Sequence, residues 1–344
     1  FVRSSTLERS STMAVLQMEP SDRLSMTADL LYVDFDDQKL LRGIEIPFAW
    51  GQGSVTAGAP NADGLVTSGE TVGQRVVVRN DYEERTADLT QFGFNAKFEY
   101  SDDTQLEFDI SRSAVEREIY SFESYSGTGR GNDRGEADTI GYTLNSGGAG
   151  AVFSPNLDYS DTSLIQLGGP LTWGWQQSLN DKFNIIGTEF ENTAQDGFLN
   201  APNIDDELTA IKLAATTQVD AGMVTSVQYG LSRRDRTKEK SAENYFMTLN
   251  AFPDLVAVPD QYYLGSVNLD FIGMGNMIAY NSVAMVRDGF YDLTLEESSY
   301  ATNQWTVDET VTTAFAMANL ETQIAGKEVT GNIGFRYIET DQSS

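Results

Sequence analysis

The sequence predicts an all-β chain that folds as an antiparallel up-and-down transmembrane β-barrel. Three observations indicate this class: apolar and polar residues alternate strictly in several segments, short turns join these segments in pairs, and long polar stretches separate the pairs. None of the 344 residues lies in an apolar run of the roughly 18 residues that a transmembrane helix needs. Barrel strands cross a membrane without such a run, because only one of their two faces meets lipid.

The clearest alternation extends from Gln91 to Tyr100, where every even position is apolar or aromatic and every odd position is polar or glycine. Successive side chains of a strand point to opposite faces, so this segment predicts one apolar and one polar face. A turn of small polar residues at 101–104 follows, and positions 105–111 repeat the pattern. The two segments therefore predict an antiparallel hairpin.

The same unit occurs three more times, so the sequence predicts four hairpins and eight strands. The other turns are expected at residues 19–22, 220–222 and 325–328. Polar, glycine-rich stretches connect the hairpins at about 38–84, 125–206 and 237–303. Structureless connections of this length are uncommon in compact domains, whereas outer-membrane barrels combine short periplasmic turns with long extracellular loops.

The apolar face is expected to contact lipid over the about 9–11 residues that a tilted strand needs to cross a bilayer. The predicted lipid-facing residues are Phe92, Phe94, Phe98, Phe108, Ile110, Ile333 and Phe335. Aromatic girdles are predicted from tyrosines at the ends of this face, which are Tyr32, Tyr229 and Tyr337 at the upper end and Tyr100 beside a turn. The polar face is expected to line the lumen or contact a plug, through Lys97, Glu107, Asp109, Gln228 and Arg336.

The composition excludes several classes of function. The chain has 51 Asp and Glu against 23 Lys and Arg, and its formal net charge of −28 repels the phosphates of nucleic acids. It has no cysteine and no histidine, which excludes zinc fingers, the usual haem sites, disulfide frameworks and histidine-dependent nucleophilic catalysis. We expect no catalytic residue, no cofactor and no metal site.

Charged clusters near the strand ends have two interpretations each. Acidic groups at 34–37 and 205–207 could bind a hard divalent cation, but their spacing does not match an EF-hand loop and solvated strand ends are preferred. The run at 233–240 could contact glycolipid phosphate at the barrel rim, or it could be the solvated base of a loop. Arg112 and Arg233 are expected at the same rim, on the lipid-facing side.

Aromatic residues in the long connections are the candidate ligand contacts. They are Trp173, Trp175, Tyr120, Phe122, Tyr125, Tyr262 and Tyr263. Flat aromatic faces beside Asn, Gln and Asp suit sugar rings, because they combine apolar contact with hydrogen bonding. The alternative is that these side chains pack the connections against one another.

Three strings resemble strands of the TonB-dependent outer-membrane receptors, in particular a subgroup associated with uptake of oligosaccharides and other carbon sources. They are LQMEPSDRL at 16–24, VQYGLSRRDR at 227–236 and GNIGFRYIET at 331–340. Such receptors combine a plug domain, which carries a TonB-binding segment, with a barrel of 22 strands. Because no plug, signal peptide or closing C-terminal strand is visible, residues 1–344 are expected to be an internal part of the barrel domain.

The resemblance implies active transport of a bulky nutrient across the bacterial outer membrane. An oligosaccharide is the preferred cargo and a ferric siderophore is the alternative. The implied partners are outer-membrane lipid and glycolipid, the plug domain and the TonB system. A passive porin or structural surface barrel is a second class of function. A soluble β-rich adhesin or polysaccharide-binding protein is a third, built as a β-sandwich or β-solenoid, and it requires the apolar faces to be packed inward against protein.

Overall fold

A computed structural model describes residues 1–48, 53–131, 134–145, 150–171, 177–187, 193–300 and 302–344. These residues form antiparallel β-sheets with a few short helices, which confirms the predicted all-β class. No helix among them is long and apolar enough to cross a membrane.

The strands fall into a long group and a short group. In chain order they are β1 (Val2–Ser21), β2 (Leu24–Glu45), β3 (Ser54–Ala57), β4 (Ser68–Gln74), β5 (Val77–Glu99), β6 (Thr104–Gly127), β7 (Asp138–Leu144), β8 (Ala151–Pro155), β9 (Gln166–Leu167), β10 (Gly197–Ala221), β11 (Val224–Leu249), β12 (Val256–Ala257), β13 (Tyr263–Asn268), β14 (Asn276–Tyr280), β15 (Tyr291–Leu295), β16 (Trp305–Ile324) and β17 (Lys327–Ser343). The described helices are α1 (Gln177–Lys182), α2 (Ser282–Arg287), α3 (Glu297–Tyr300) and 3₁₀ turns at Asp260–Tyr262 and Asp270–Ile272.

Eight strands of 17 to 26 residues are neighbours in one antiparallel sheet, in the order β1-β2-β5-β6-β10-β11-β16-β17, and the short strands β9, β12 and β15 pair in the same sheet outside this order. Each long strand pairs with the long strands that precede and follow it in the chain. The up-and-down order and the eight predicted strands are therefore confirmed. β1 and β17 are the outermost strands of this order, and closure into a barrel stays a prediction.

Short turns join the long strands at one end of the sheet. Residues 22–23, 100–103, 222–223 and 325–326 lie between paired strands, at or next to the four predicted positions. Gly222 and Gly326 have φ angles of 71° and 75°. Glycine adopts this left-handed backbone without steric cost, which allows turns this tight.

The strands are longer than the sequence predicted, and the connections are correspondingly shorter. The connections run from 46 to 76, from 128 to 196 and from 250 to 304. Alternation alone had placed the first connection at 38–84. The predicted boundaries were wrong because charged and hydroxyl residues interrupt the apolar pattern before the strands end. Backbone pairing nevertheless continues, for example between Arg42 and Asn80.

The connections are also not structureless, which corrects a second expectation. β3, β4, β7 and β8 form a four-stranded sheet, and β13 and β14 form a hairpin. Two large buried clusters lie among these connections and the strand ends beneath them, around Phe122 and Met285 in one and Ile140 and Met277 in the other. We call this part of the molecule the loop layer, and it contains most of the buried apolar side chains.

Candidate functional site

Alternate residues of the long strands define two faces of the sheet. Face 1 carries Phe108 and Leu213, which pair across β6 and β10. Face 2 carries their neighbours Glu107 and Lys212. Because register is continuous between the central strands, each face can be followed across the sheet from one strand to the next.

An apolar band crosses face 1 near the turns. One cross-strand row is apolar or aromatic in all eight long strands, and it comprises Met18, Met26, Ala96, Phe108, Leu213, Leu231, Ala314 and Tyr337. The next face-1 row, which on β2 is closer to the turn, comprises Leu24, Phe98, Leu106, Ala215, Tyr229, Ala316 and Phe335. These two rows, with Phe92, Phe94, Ile110, Ile211 and Ile333 beside them, are the apolar band.

The large side chains of the apolar band are not covered by protein. Phe335 is 71% exposed and Leu213 is 56% exposed. Phe94 and Phe108 are half-buried because their rings contact each other, with centroids 6.2 Å apart. None of the seven residues predicted to face lipid is buried. A β-sandwich requires these side chains to lie under a second sheet, and the described residues provide no such layer.

The four tyrosines predicted as girdle residues are exposed, and Tyr32, Tyr229 and Tyr337 lie on face 1 whereas Tyr100 lies in the turn after β5. They do not share one register row, because Tyr32 pairs with Thr90 whereas Tyr229 pairs with Ala215. Tyr32 also donates a hydrogen bond of 2.6 Å to Asp88. Tyrosines in different rows reach one level only if the strands are tilted, as they are in barrels.

An acidic belt lies on face 1 directly beyond the apolar band. Its central row places carboxylates side by side on five adjacent strands, at Asp34, Asp88, Glu116, Asp205 and Glu239. All five are exposed. Like charges directly opposite one another are destabilising, so this belt requires the high dielectric of water.

Strand alternation splits both acidic groups that the sequence offered as cation sites. Asp37 lies on face 2, where the Lys39 ammonium is 2.6 Å from its carboxylate. Asp206 also lies on face 2, bonded to Arg236. Among the described residues no three His, Cys, Asp or Glu side chains are grouped to hold a metal ion.

A second apolar row crosses face 1 beyond the acidic belt, and this row is covered. It comprises Leu40, Tyr82, Phe122, Leu199 and Tyr245. Tyr262, Tyr280 and Met285 from the last connection pack against it. We call this row and its covering residues the covered zone. The same face of one sheet is therefore bare near the turns and covered near the loop layer.

Polar contacts tie the last connection to the sheet at this point. The Asn80 side chain donates to the Ile278 carbonyl and accepts from the Tyr280 backbone N–H, each at 3.2 Å. The Tyr280 hydroxyl lies 3.1 Å from Ser124 Oγ. Burial raises the pKa of the Tyr280 phenol. The side-chain amide of Asn80 therefore hydrogen-bonds to the backbone of the last connection much as a neighbouring strand would, and this holds the connection against β5.

Two buried arginines hold other parts of the loop layer. Arg130 lies 2.5 Å and 3.1 Å from the two carboxylate oxygens of Asp196, which also accepts from the backbone N–H groups of Gly169 and Leu249. Arg79 contacts Asp81 at 2.8 Å and the ring of Tyr125. The contacts of Arg130 with Asp196 and of Arg79 with Tyr125 connect segments distant in sequence, and they are structural.

Burial dominates the ionisation of the cluster around Arg79. Burial raises the pKa of Asp81 to about 6, against the opposing effect of the Arg79 guanidinium. Burial by itself lowers the pKa of Arg79, but Asp81 and Glu123 outweigh it and raise that pKa. Burial likewise raises the pKa of the Tyr125 phenol. The site therefore favours a charged guanidinium held among carboxylates.

The predicted ligand-contacting aromatics are mostly packing residues, which corrects the sequence-based expectation. Phe122, Tyr125 and Tyr262 are buried, so a sugar ring cannot reach their faces. Tyr120 is half-buried and meets Phe122 edge to face, with centroids 6.0 Å apart. Tyr263 is exposed. Trp173 and Trp175 lie outside the described residues.

The five residues predicted to line a lumen all lie on face 2. Asn95 donates to both Glu107 and Asp109, and Lys212 lies 2.9 Å from Glu107. Lys97 pairs with Glu107 across the strands. Gln228 and Arg336 line a groove of about 610 Å³ on the same face. Contact of these residues with a plug stays a prediction.

Sequence reasoning missed a cationic ladder on face 2. In the run 233–240, alternation places four bases on face 2, and they are Arg234, Arg236, Lys238 and Lys240. Arg233 and Asp235 lie on face 1 and pair with each other at 2.8 Å. The run mixes five bases with two acids, and the two-residue period places both acids on face 1 and four of the bases on face 2. Applying this period to the sequence would have found the ladder.

No protein-family model matches this chain, and no curated protein matches it. A role for the chain therefore has to be argued from its two faces and its loop layer.

Proposed function

We propose that this chain forms part of the wall of a β-barrel in the bacterial outer membrane, with the apolar band against lipid. The observation that carries the proposal is the contrast along face 1. The chain covers the apolar row beyond the acidic belt with its own loop layer, but it leaves the apolar band bare. Lipid is the solvent in which a bare apolar band is stable.

The size of the bare surface supports this. Burying a Leu, Ile or Phe side chain stabilises a protein by about 1.5–3 kcal/mol relative to leaving it in water. The band exposes many such side chains, among them Leu213, Leu231, Ile333 and Phe335. Together they would forfeit more free energy in water than the whole net stability of a typical domain.

The height of the apolar band also fits a bilayer. On β2 the face-1 residues continue apolar or aromatic from the band at Leu24 up to Tyr32, and the acidic belt begins at Asp34. On β5 the band extends from Phe98 to Phe92, with Asp88 in the belt. A tilted strand crosses the hydrocarbon core in about 9–11 residues, so the belt falls at the aqueous boundary.

For the complete protein we propose TonB-dependent transport of a bulky nutrient, with an oligosaccharide as cargo. The proposal combines the bare band, the short turns opposite long connections, and the resemblance of three strand segments to such receptors. In this role the wall residues position and select the cargo and do no covalent chemistry. The loop layer lies at the extracellular end.

Uptake by cells tests this role. Deleting the gene in the organism that encodes the protein is expected to abolish growth on an oligosaccharide while leaving growth on its monosaccharide intact. A protonophore is expected to stop oligosaccharide accumulation in the wild type, since TonB draws on the proton gradient. Uptake that continues at the same rate with the protonophore would instead indicate a passive pore. Loss of ferric-chelate uptake alone would indicate a siderophore receptor.

A further inference from the structure

The cationic ladder separates charge in a chain that is strongly acidic overall. Arg234, Arg236, Lys238 and Lys240 occupy successive face-2 positions of β11. Residues two apart on a strand are about 6.6–6.8 Å apart, so the four bases span about 20 Å. The acidic belt lies on the opposite face of the same strands. The ladder is therefore a positive strip within a chain whose net charge is −28.

Few carboxylates neutralise the ladder. Away from the turns, the carboxylates on face 2 of β10, β11, β16 and β17 are Asp206 and Glu309. Asp206 bonds Arg236 at 2.8 Å and lies 3.9 Å from Lys238, while Glu309 pairs with Arg236 across the strands. Arg234 and Lys240 have neither of these carboxylates opposite them. Neighbouring bases of the ladder carry like charges that repel each other, so an anion that binds here relieves repulsion.

The turn-proximal end of the ladder opens into the groove of about 610 Å³ on face 2. Lys212, Arg234 and Arg336 line this groove, and none of the described residues in its lining is a carboxylate. Lys212 also reaches Glu107, which lies outside the groove lining. The groove therefore extends the positive strip onto β10 and β17.

An aromatic ring forms part of the same groove. A Cβ added at Gly230 would lie 2.8 Å from Cζ of Phe315, so the glycine leaves room for this ring to lie across the wall. Phe315 and Met317 line the groove with the cations. One guanidinium group can bind two oxygens of a carboxylate or sulfate at the same time. An aromatic ring suits the apolar face of a sugar.

We propose that the cationic ladder and its groove bind an anionic oligosaccharide, whose carboxylate or sulfate groups repeat along the chain. Lysine and arginine side chains that line a pore favour anions, and repeated cations allow a ligand to advance from one to the next. The inference rests on the proposed function for its direction of transport. Binding itself is measured on the purified protein, so the two can fail separately.

Calorimetry on the full-length protein in detergent tests the site. An oligogalacturonate of about six units is compared with an uncharged oligosaccharide of the same length and with an anionic ferric chelate. We expect the oligogalacturonate to bind, the uncharged sugar to bind at least ~10-fold more weakly, and affinity to fall with added salt. Equal binding of the charged and uncharged sugars overturns the proposal, and so does binding of the ferric chelate alone.

Matched variants on one strand locate the site. Arg234→Gln is expected to weaken oligogalacturonate binding about 10-fold, in line with the loss of a hydrogen bond between charged groups. Arg233→Gln removes the same charge from the adjacent residue on face 1 and is expected to change affinity less than about 2-fold. Both variants should keep the unfolding midpoint of the wild type, which excludes misfolding. Equal loss in the two variants overturns the assignment to face 2.

Discussion

The apolar band and the covered zone lie on the same face of the same strands, yet they have opposite surroundings. Both consist of alternating apolar residues, and the acidic belt separates them by a few residues on each strand. Phe122 in the covered zone is 1% exposed, whereas Phe98 in the apolar band is 42% exposed. Periodicity therefore identifies an apolar face without revealing whether protein or lipid covers it.

The contrast between the apolar band and the covered zone locates the aqueous boundary. Water makes exposed apolar side chains costly, so the chain covers them with its loop layer wherever the strands project into water. Carboxylates side by side are tolerated only where water solvates them. The acidic belt therefore marks the level at which the surroundings of face 1 change.

Replacing a phenylalanine in each zone should separate the two environments most strongly. Phe122→Ala is expected to cost about 3–5 kcal/mol, because it leaves a cavity in packed protein. Phe98→Ala is expected to cost about 1.5–3 kcal/mol in a bilayer, because mobile acyl chains fill the space. Urea unfolding in lipid vesicles measures both. Equal losses would mean that protein packing covers both residues.

A charge introduced into the apolar band sharpens the contrast between the faces. Leu231→Arg is expected to destabilise the protein in vesicles by about 2–4 kcal/mol, the cost of a cation at the bilayer midplane. Ser232→Arg places the same side chain on face 2 and is expected to change stability by less than about 1 kcal/mol. The same urea titration compares them. If Leu231→Arg were as well tolerated as Ser232→Arg, face 1 would not meet hydrocarbon.

Removing a charge from the acidic belt should have a small effect of opposite sign. Glu116 lies between Asp88 and Asp205 in register, so Glu116→Gln is expected to stabilise the protein by about 0.2–1 kcal/mol at low salt. The gain should vanish near 1 M salt, where the Debye length is about 3 Å. Glu107→Gln is the control and should destabilise, because Glu107 bonds Lys212 and Asn95. A salt-independent gain would contradict the electrostatic explanation.

Local alternation was sufficient to predict the sheet. Positions 91–111 already contained the hairpin and both faces, because register follows from the turn and the two-residue period. The loop layer could not be predicted, since its contacts join residues far apart in sequence, such as Asn80 and Ile278. Phe122 and Tyr125 were misjudged because an aromatic residue near a loop looks the same whether it binds ligand or packs.

The ladder is a different kind of omission. Its residues were visible in the sequence, but the run from Arg233 to Lys240 was treated as a string of mixed charges and was not divided between the two faces of a strand. β11 extends to Leu249, well past this run, so the strand period still applies there. Underestimating strand length thus concealed the cationic ladder of face 2.

Labels at single positions of β10 report whether face 1 contacts lipid. The chain has no cysteine, so Leu213→Cys, Lys212→Cys and Glu207→Cys each give one site for an environment-sensitive fluorophore. In vesicles whose acyl chains carry a quencher, we expect strong quenching at position 213 and little at 212 on face 2 or at 207 beside the acidic belt. Quenching at 213 that is no stronger than at 212 would contradict the account.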